Sequence, residues 1–151
     1  MAVQHVAQRL LNLCDIIPDR IRQIADADFI LKPAPGKWSK KEILGHLVDS
    51  AGNNHQRFVR GLVENVPTIA YDGDAWVSAQ KYQQQDRQLI LQLWQTYNRH
   101  LAAVIAVIPE DDLLRCCKYG DGTVLPLQFL IEDYLHHMEH HLKQILGAYE
   151  S

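Results

Sequence analysis

The sequence has no excess of basic residues. Its 15 lysines and arginines are outnumbered by 18 aspartates and glutamates, which gives a formal net charge of −3 at pH 7. Nucleic-acid-binding domains neutralise phosphates with a basic patch and stack bases on aromatic side chains, and the sequence contains neither pattern. We therefore expect no nucleic-acid partner.

Long apolar runs and paired cysteines are also missing. No stretch approaches the ~20 apolar residues of a membrane-spanning helix, so no membrane association is expected. Residues 1–5 lack both a basic start and an apolar core, and they do not predict a signal peptide. The three cysteines form no C-x-x-C motif, and adjacent Cys116 and Cys117 can join only through a strained ring. These absences favour a cytoplasmic protein in a reducing compartment.

What the sequence does contain is typical of a single helical domain. Its 151 residues, 47% of them hydrophobic and 22% charged, suffice for one apolar core without a second domain. Apolar residues recur at three- and four-residue steps, and little of the chain alternates with the period of two expected for a strand. We predict an all-α fold and one domain over residues 1–151.

Helix-breaking and capping residues set the bounds of four predicted helices. Pro18 is expected to bend or divide the first helix. Ser39 and Glu42 match the capping box, in which a serine hydroxyl and a glutamate bind each other's backbone amides, and they should begin the second. Residues 120–122 form a turn signal within a short hairpin or an irregular loop. The helices should cover about 3–27, 39–62, 75–107 and 126–149, and the connection over 65–74 is long enough for a crossover.

The densest chemical feature is a run of histidines near the end of the chain. Residues 134–141 hold four of the eight histidines, and neutral imidazole is the side chain that most often binds transition metals. Residues four apart share a helix face, so either His136 with His140 or His137 with His141 can present two nitrogens to one ion. The second pair falls within the apolar stripe of Leu127, Leu130, Ile131, Tyr134, Met138, Leu142 and Ile145. We predict that this pair points inward and that the other is solvated.

A third ligand is needed, because two protein ligands hold a zinc-like ion poorly, whereas three leave one position for water or substrate. His46 is the best candidate, since its helix face mixes core residues with small polar ones, namely Ile43, Leu47, Ser50 and Asn54. A hydrogen-bonded core histidine is the alternative, but three buried imidazoles would each need a polar partner. Asp49 and Asp133 are candidates to support a ligand or act as a base, or they are solvated helix charges. The remaining histidines are expected to be surface or capping residues: His5, His55 and His100.

Several segments match, in order, a known family. They are Trp38-Ser39, residues 45–50 (GHLVDS), residues 67–69 (PTI) with Tyr71-Asp72 and Ala75-Trp76, and residues 137–145 (HMEHHLKQI). On these segments the chain resembles the DinB/YfiT-like metalloenzymes. The resemblance implies a four-helix bundle with a long crossover connection. It also implies a divalent metal bound by one histidine of the second helix and an i, i+4 pair of the last, at positions matching His46, His137 and His141.

The resemblance leaves more than one chemistry open. Family members are described as metal-dependent hydrolases, and relatives resemble transferases that join bacillithiol or mycothiol to electrophiles. Our leading hypothesis is a thiol S-transferase, in which zinc, nickel or a similar divalent ion holds a low-molecular-weight thiol as thiolate for attack on a small electrophile. Asn53, Asn54 and Arg57, one to three turns beyond His46, are candidates for binding polar or anionic parts of the cosubstrate.

Two alternatives remain. The first is a metal-dependent hydrolase, in which water at the open position has its pKa lowered towards ~7 and Asp49 serves as the catalytic base. The H-E-x-x-H motif of zinc peptidases is absent, so peptidase activity is not expected. The second is a non-catalytic bundle that binds a metal or small ligand, or that only assembles through an apolar helix face. A homodimer is the expected assembly.

Overall fold

The computed structural model describes residues 2–150, which fold mainly as helices. In chain order the helices are α1 (Gln4–Arg22), α2 (Asp26–Phe29), α3 (Lys40–Val63), α4 (Gly73–Gln80), α5 (Arg87–Ala106) and α6 (Leu127–Leu146). Short 3₁₀ turns cover Tyr82–Gln84 and Glu110–Leu114. Strands β1 (Cys116–Lys118) and β2 (Val124–Pro126) form an antiparallel hairpin in which Cys117 pairs with Leu125. The turn signal at 120–122 therefore belongs to a hairpin.

The four long helices pack around one apolar core. Helix α1 contacts α5 and α6, and α3 contacts the same two helices, so each long helix has two long neighbours. Fully buried side chains come from all four helices, among them Leu10, Leu47, Trp94 and Leu130. The fold is the all-α four-helix bundle that the sequence predicts, with a long crossover between α3 and α5. Within residues 2–150, none of the helices has the length and apolar character needed to cross a membrane.

Helix α3 begins at the predicted capping box. The Ser39 hydroxyl accepts a hydrogen bond from the Glu42 amide at 3.1 Å, and the Glu42 carboxylate accepts one from the Ser39 amide at 3.0 Å. Two of the four amides that a helix start leaves unpaired are thereby satisfied. This local signal fixes where the histidine-bearing helix starts.

The prediction of one continuous helix over 75–107 is wrong. The structure divides this range between α4 and α5, because Lys81 adopts a left-handed conformation with φ of 52° and ends α4. A 3₁₀ turn follows, and Asp86 then caps α5 by accepting a hydrogen bond from the Gln88 amide at 3.3 Å. The crossover therefore extends over residues 64–86 and carries its own helix against α3.

Helix α1 tolerates Pro18 without ending, although it stops at Arg22, short of the predicted 27. A proline inside a helix removes the hydrogen bond to the carbonyl four residues earlier, here that of Cys14. The Gln95 side-chain amide, on α5, donates to this carbonyl at 2.9 Å. The neighbouring helix thus replaces the bond that the proline removes.

The residues after α6 fold back along the bundle. Helix α6 ends at Leu146, three residues before the predicted 149, where Gly147 takes a positive φ of 68°. Beyond it, the Tyr149 hydroxyl donates to the Glu139 carboxylate at 2.6 Å, and Arg9 of α1 donates to the same oxygen at 2.7 Å. Arg9 also pairs with Glu150. Glu139 therefore ties α6 both to α1 and to the end of the chain.

Candidate metal centre

His46 occupies an enclosed position on α3. Its side chain is only 6% exposed, and its neighbour on one side is Trp38, whose ring centroid lies 4.6 Å from that of the imidazole. On another side, Gly73 at the start of α4 comes so close that an added Cβ would lie 3.2 Å from His46 Cε1. The segment before α3 and the start of the crossover helix therefore both hold the ring in place.

Helix α6 turns one of its two histidine pairs towards the interior. His137 and His141 are half-buried, whereas His136 and His140 are exposed. The inward pair is interleaved with the buried apolar side chains of Tyr134, Met138 and Leu142. The apolar stripe read from the sequence thus gave the correct rotation of α6 about its axis.

The three inward histidines converge on one point. The Nε2 atoms of His46 and His137 are 3.2 Å apart. Each of His46, His137 and His141 offers a ligand nitrogen, and these nitrogens all lie within 4.8 Å of one another. Two nitrogens bound to one tetrahedral zinc ion at ~2.0–2.1 Å would be about 3.3 Å apart, which matches the separation of the His46 and His137 nitrogens. Within the described residues, the group contains three imidazoles and no carboxylate.

The surroundings keep these imidazoles neutral. Burial, reinforced by the neighbouring histidines, lowers the pKa of His46 from 6.5 to about 3 and that of His137 to about 4. Burial also lowers the pKa of His141. Neutral imidazole carries the lone pair that a metal requires, so all three side chains are in the ligating form near pH 7.

Hydrogen bonding fixes the tautomer of His141. Its Nδ1 lies 2.8 Å from Gln144 Oε1. An amide oxygen only accepts, so Nδ1 carries the proton and Nε2 keeps its lone pair. A ligating histidine usually donates its other ring N–H in this way. The sequence analysis missed Gln144, which the i, i+3 spacing from His141 would have placed beside it.

A groove opens beside His141. Its volume is about 790 Å³, within the range of small-molecule sites. Trp38, Ile43 and Pro33 supply apolar walls, and Lys37, Lys40 and Asp74 supply charge. Trp38 both lines the groove and contacts His46. A small organic molecule can therefore lie next to His141.

Asp49 lies one turn beyond His46 and is 3% exposed. Its Oδ1 accepts hydrogen bonds from the Tyr82 hydroxyl at 2.6 Å and from Gln80 Nε2 at 2.8 Å, whereas Oδ2 is buried without a partner. Burial raises the pKa of this carboxyl group. Asp49 is not a member of the three-histidine group. Its role as a base stays a prediction.

The three proposed cosubstrate residues continue along α3. Asn53 and Asn54 each donate to a backbone carbonyl one turn earlier, at 2.9 Å. Arg57 donates to Asn54 Oδ1 at 3.3 Å and to the Ile69 carbonyl at 3.2 Å, which ties the crossover segment to α3. None of the three lines the groove beside His141. Ligand binding by these residues stays a prediction.

Two curated bacterial proteins resemble the chain in sequence. YfiT of Bacillus subtilis strain 168 is 23% identical over 141 residues, covering 89% of this chain and 79% of that protein. BH0277 of Halalkalibacterium halodurans is 26% identical over 112 residues, covering 74% of this chain and 65% of that protein. The chain thus spans slightly less than two thirds of the BH0277 protein. The names of both relatives give metal-dependent hydrolysis as an inferred activity.

Solved structures share the fold. The YfiT structure from Bacillus subtilis, described as an unusual four-helix bundle topology, superposes with a TM-score of 0.80 at 23% identity, covering 92% of this chain and 83% of that one. A mycothiol-dependent maleylpyruvate isomerase superposes with a TM-score of 0.72 at 12% identity, covering 96% of this chain and 62% of that one. Likeness at these identities concerns the fold alone.

A family-wide sequence profile covers nearly the whole chain. The DinB superfamily profile matches residues 4–145, a span that includes His46, His137 and His141 as well as all four long helices apart from the last residue of α6. This match agrees with the bundle and with the resemblance of the histidine segments. The chain belongs to the DinB superfamily.

Proposed function

We propose that this protein is an enzyme that uses one divalent metal ion held by His46, His137 and His141. The observation that carries the proposal is the convergence of three neutral imidazoles beside a groove. Zinc and nickel are the expected ions, because both accept imidazole ligands. Three protein ligands leave a further coordination position, as in catalytic rather than structural zinc sites.

The protein's own residues would prepare this position for reaction. Gln144 holds His141 in the ligating tautomer, and Trp38 keeps bulk water away from one face of His46. The groove walls would hold the organic part of a substrate next to His141. A bound divalent ion would supply Lewis acidity that lowers the pKa of a thiol or of water at the open position.

Transfer of a low-molecular-weight thiol is the first candidate reaction. In it the thiol loses its proton to solvent, the thiolate sulfur forms a bond to the electrophilic carbon, and the bond from that carbon to its leaving group breaks, so that the leaving group departs with the electron pair. A thiol acidified by a metal needs no neighbouring base. The absence of a carboxylate from the three-histidine group, within residues 2–150, supports this order of preference. A protein named as mycothiol-dependent shares the fold. Asn53, Asn54 and Arg57 stay our candidates for binding polar or anionic parts of the cosubstrate.

Metal-dependent hydrolysis is the second candidate. The names of the curated relatives favour it. Asp49 also favours it, because its buried carboxyl group has a raised pKa and one oxygen without a partner, as a general base requires. In this reaction water takes the place of the thiol, and its proton passes to the base as its oxygen bonds to a carbonyl carbon or similar centre. The bond from that centre to the leaving group then breaks, and the leaving group takes up the proton from the base.

The deciding experiment uses untagged protein loaded with Zn²⁺ or Ni²⁺. We would measure turnover of 1-chloro-2,4-dinitrobenzene with a panel of thiols, and of 4-nitrophenyl acetate without thiol. Thiol-dependent turnover supports transfer, and turnover of the ester without thiol supports hydrolysis. His140→Ala is the matched control for His137→Ala, because it changes an exposed histidine of the same helix. A protein without stoichiometric metal, and without loss of stability on chelation, would contradict both reactions and leave a non-catalytic bundle.

We also propose a homodimer. Leu89 and Leu93, four residues apart on α5, are 57% and 47% exposed, and such an apolar face supports self-association. Light scattering coupled to gel filtration measures the mass in solution. A dimer that becomes monomeric in Leu93→Lys would support this interface, and a wild-type monomer would contradict it.

A further inference from the structure

A second pair of histidines meets on the other side of α3. His55 follows His46 by nine residues, and at about 100° per residue it lies on the opposite face of the helix. There it meets His100 of α5. Their ring centroids are 5.3 Å apart and their planes are inclined at 84°. The sequence predicts surface or capping positions for both residues, because residues 45 positions apart give no local sign that they meet.

The pair packs edge to face, as the histidines of the candidate metal centre do, with ring centroids slightly farther apart. There the ring centroids are 4.5 to 5.1 Å apart and the planes are inclined at 70° to 79°. That arrangement brings ring nitrogens close enough to share an ion. His55 and His100 supply two imidazoles rather than three, in a slightly wider and more nearly perpendicular contact.

Tyr97 contacts His55 in the way a supporting residue contacts a ligand. The Tyr97 hydroxyl lies 2.8 Å from His55 Nδ1. The phenol can donate to Nδ1 or accept from it, and in the tautomer that carries the proton on Nδ1, Nε2 keeps its lone pair for a metal. Ligating histidines are commonly fixed by such a hydrogen bond from the other ring nitrogen. Tyr97 is three residues before His100, so both project from the same side of α5.

The surroundings leave room for an ion and for water. His100 is exposed, and His55 borders a shallow cavity of about 320 Å³ shared with Gln56, Val59 and Arg60. The one charged group on this border, Arg60, is engaged by Glu64, with N–O distances of 2.6 and 3.1 Å. A cation can thus approach the two imidazoles from solvent.

We propose that His55 and His100 form a second, peripheral site for a first-row divalent cation, which cross-links α3 to α5. Imidazole affinity is highest for Cu²⁺ in the divalent series, and Zn²⁺ is also well suited. Two protein ligands and water would hold the ion less tightly than the three-histidine site. Occupancy would stabilise the contact between the two helices by mass action. The site does not depend on the proposed enzymatic function.

The test needs a variant without the other histidine pairs. His137→Ala, His140→Gln and His141→Ala together remove the three-histidine site and the exposed pair on α6. Cu²⁺ titration of this reference variant by calorimetry and electron paramagnetic resonance should show one ion per chain with nitrogen ligands. Adding His100→Gln should weaken binding at least tenfold, while adding His5→Gln, an exposed histidine on α1, should not.

Further measurements separate a metal site from two histidines that merely stack. Tyr97→Phe should weaken Cu²⁺ binding by about tenfold, because the partner that orients His55 is lost. If the reference variant does not fold, Zn²⁺ titration of the wild-type protein should move the imidazole NMR signals of His55 and His100 together. Equal affinity with and without His100, or zinc responses confined to the three-histidine site, would overturn the proposal.

Discussion

Gly45→Ala should destabilise the protein markedly, although alanine is normally the better helix residue. Gly45 lies inside α3, directly before His46. A Cβ added to it would lie 2.2 to 2.5 Å from three ring atoms of Tyr82. Ordinary carbon–carbon contact is about 3.5–4.0 Å, so the ring would have to retreat by more than about 1 Å. It has little freedom to do so, because it is 3% exposed and its hydroxyl is bonded to Asp49 and Gln80.

The magnitude follows from these contacts. Overpacking of this kind costs about 1–3 kcal/mol. Breaking the hydrogen bond to the Asp49 carboxylate adds about 1.5–3 kcal/mol. The higher helix propensity of alanine returns about 1 kcal/mol. We therefore expect the free energy of unfolding of the metal-free protein to fall by roughly 1.5–5 kcal/mol.

Gly52→Ala is the matched control. It lies on the same helix, but an added Cβ would meet only Tyr97, at 3.9 to 4.0 Å, which is ordinary contact. Helix propensity should then dominate, and the variant should gain about 0.5–1 kcal/mol. Urea unfolding followed by circular dichroism measures both changes. A Gly45→Ala variant as stable as the wild type would show that the Tyr82 ring does not pack against the backbone of Gly45.

Two further predictions concern the histidines. In untagged protein, His137→Ala and His141→Ala should each abolish binding of stoichiometric metal, whereas His136→Ala and His140→Ala should retain it. Elemental analysis measures the metal content, and the reverse pattern would contradict the orientation of α6. The metal-free protein should also lose stability as pH falls. Because burial lowers the pKa of His46 to about 3, the unfolded chain takes up a proton below about pH 6.5 before the folded one does. The free energy of unfolding should fall by at most about 1.4 kcal/mol per pH unit from this group, and the fall should end near pH 3. A thermal unfolding midpoint that stays the same between pH 6.5 and pH 4 would refute this prediction.

Local signals predicted the parts of the fold that depend on neighbouring residues. The capping box at Ser39 gave the start of α3, and the apolar stripe of α6 identified which histidine pair faces inward. Both signals act within one or two helical turns, so the sequence contains them in full. The sequence could therefore predict the candidate ligand on α3 and the candidate pair on α6, each from its own helix.

Contacts between distant segments account for what was missed. Helix α4 ends at Lys81, directly before Tyr82, whose ring is buried against Gly45 of α3. The pattern of apolar residues along the chain cannot predict such a contact between distant segments. The Asp86 cap was a visible sign that was overlooked. The enclosure of His46 by Trp38 and Gly73 depends on the path of two loops, which periodicity does not describe.

Glu139 can affect the positions of the three inward histidines without contacting them. In sequence it lies midway between His137 and His141, yet about 200° away from each around α6, so it faces α1 rather than α3. Its hydrogen bonds to Arg9 and Tyr149 anchor the face of α6 opposite the inward histidines. Axial rotation of α6, which would separate the imidazoles from His46, is resisted from the far side of the bundle. The spacing of the three imidazoles can thus be changed by substitutions that lie on the opposite face of α6.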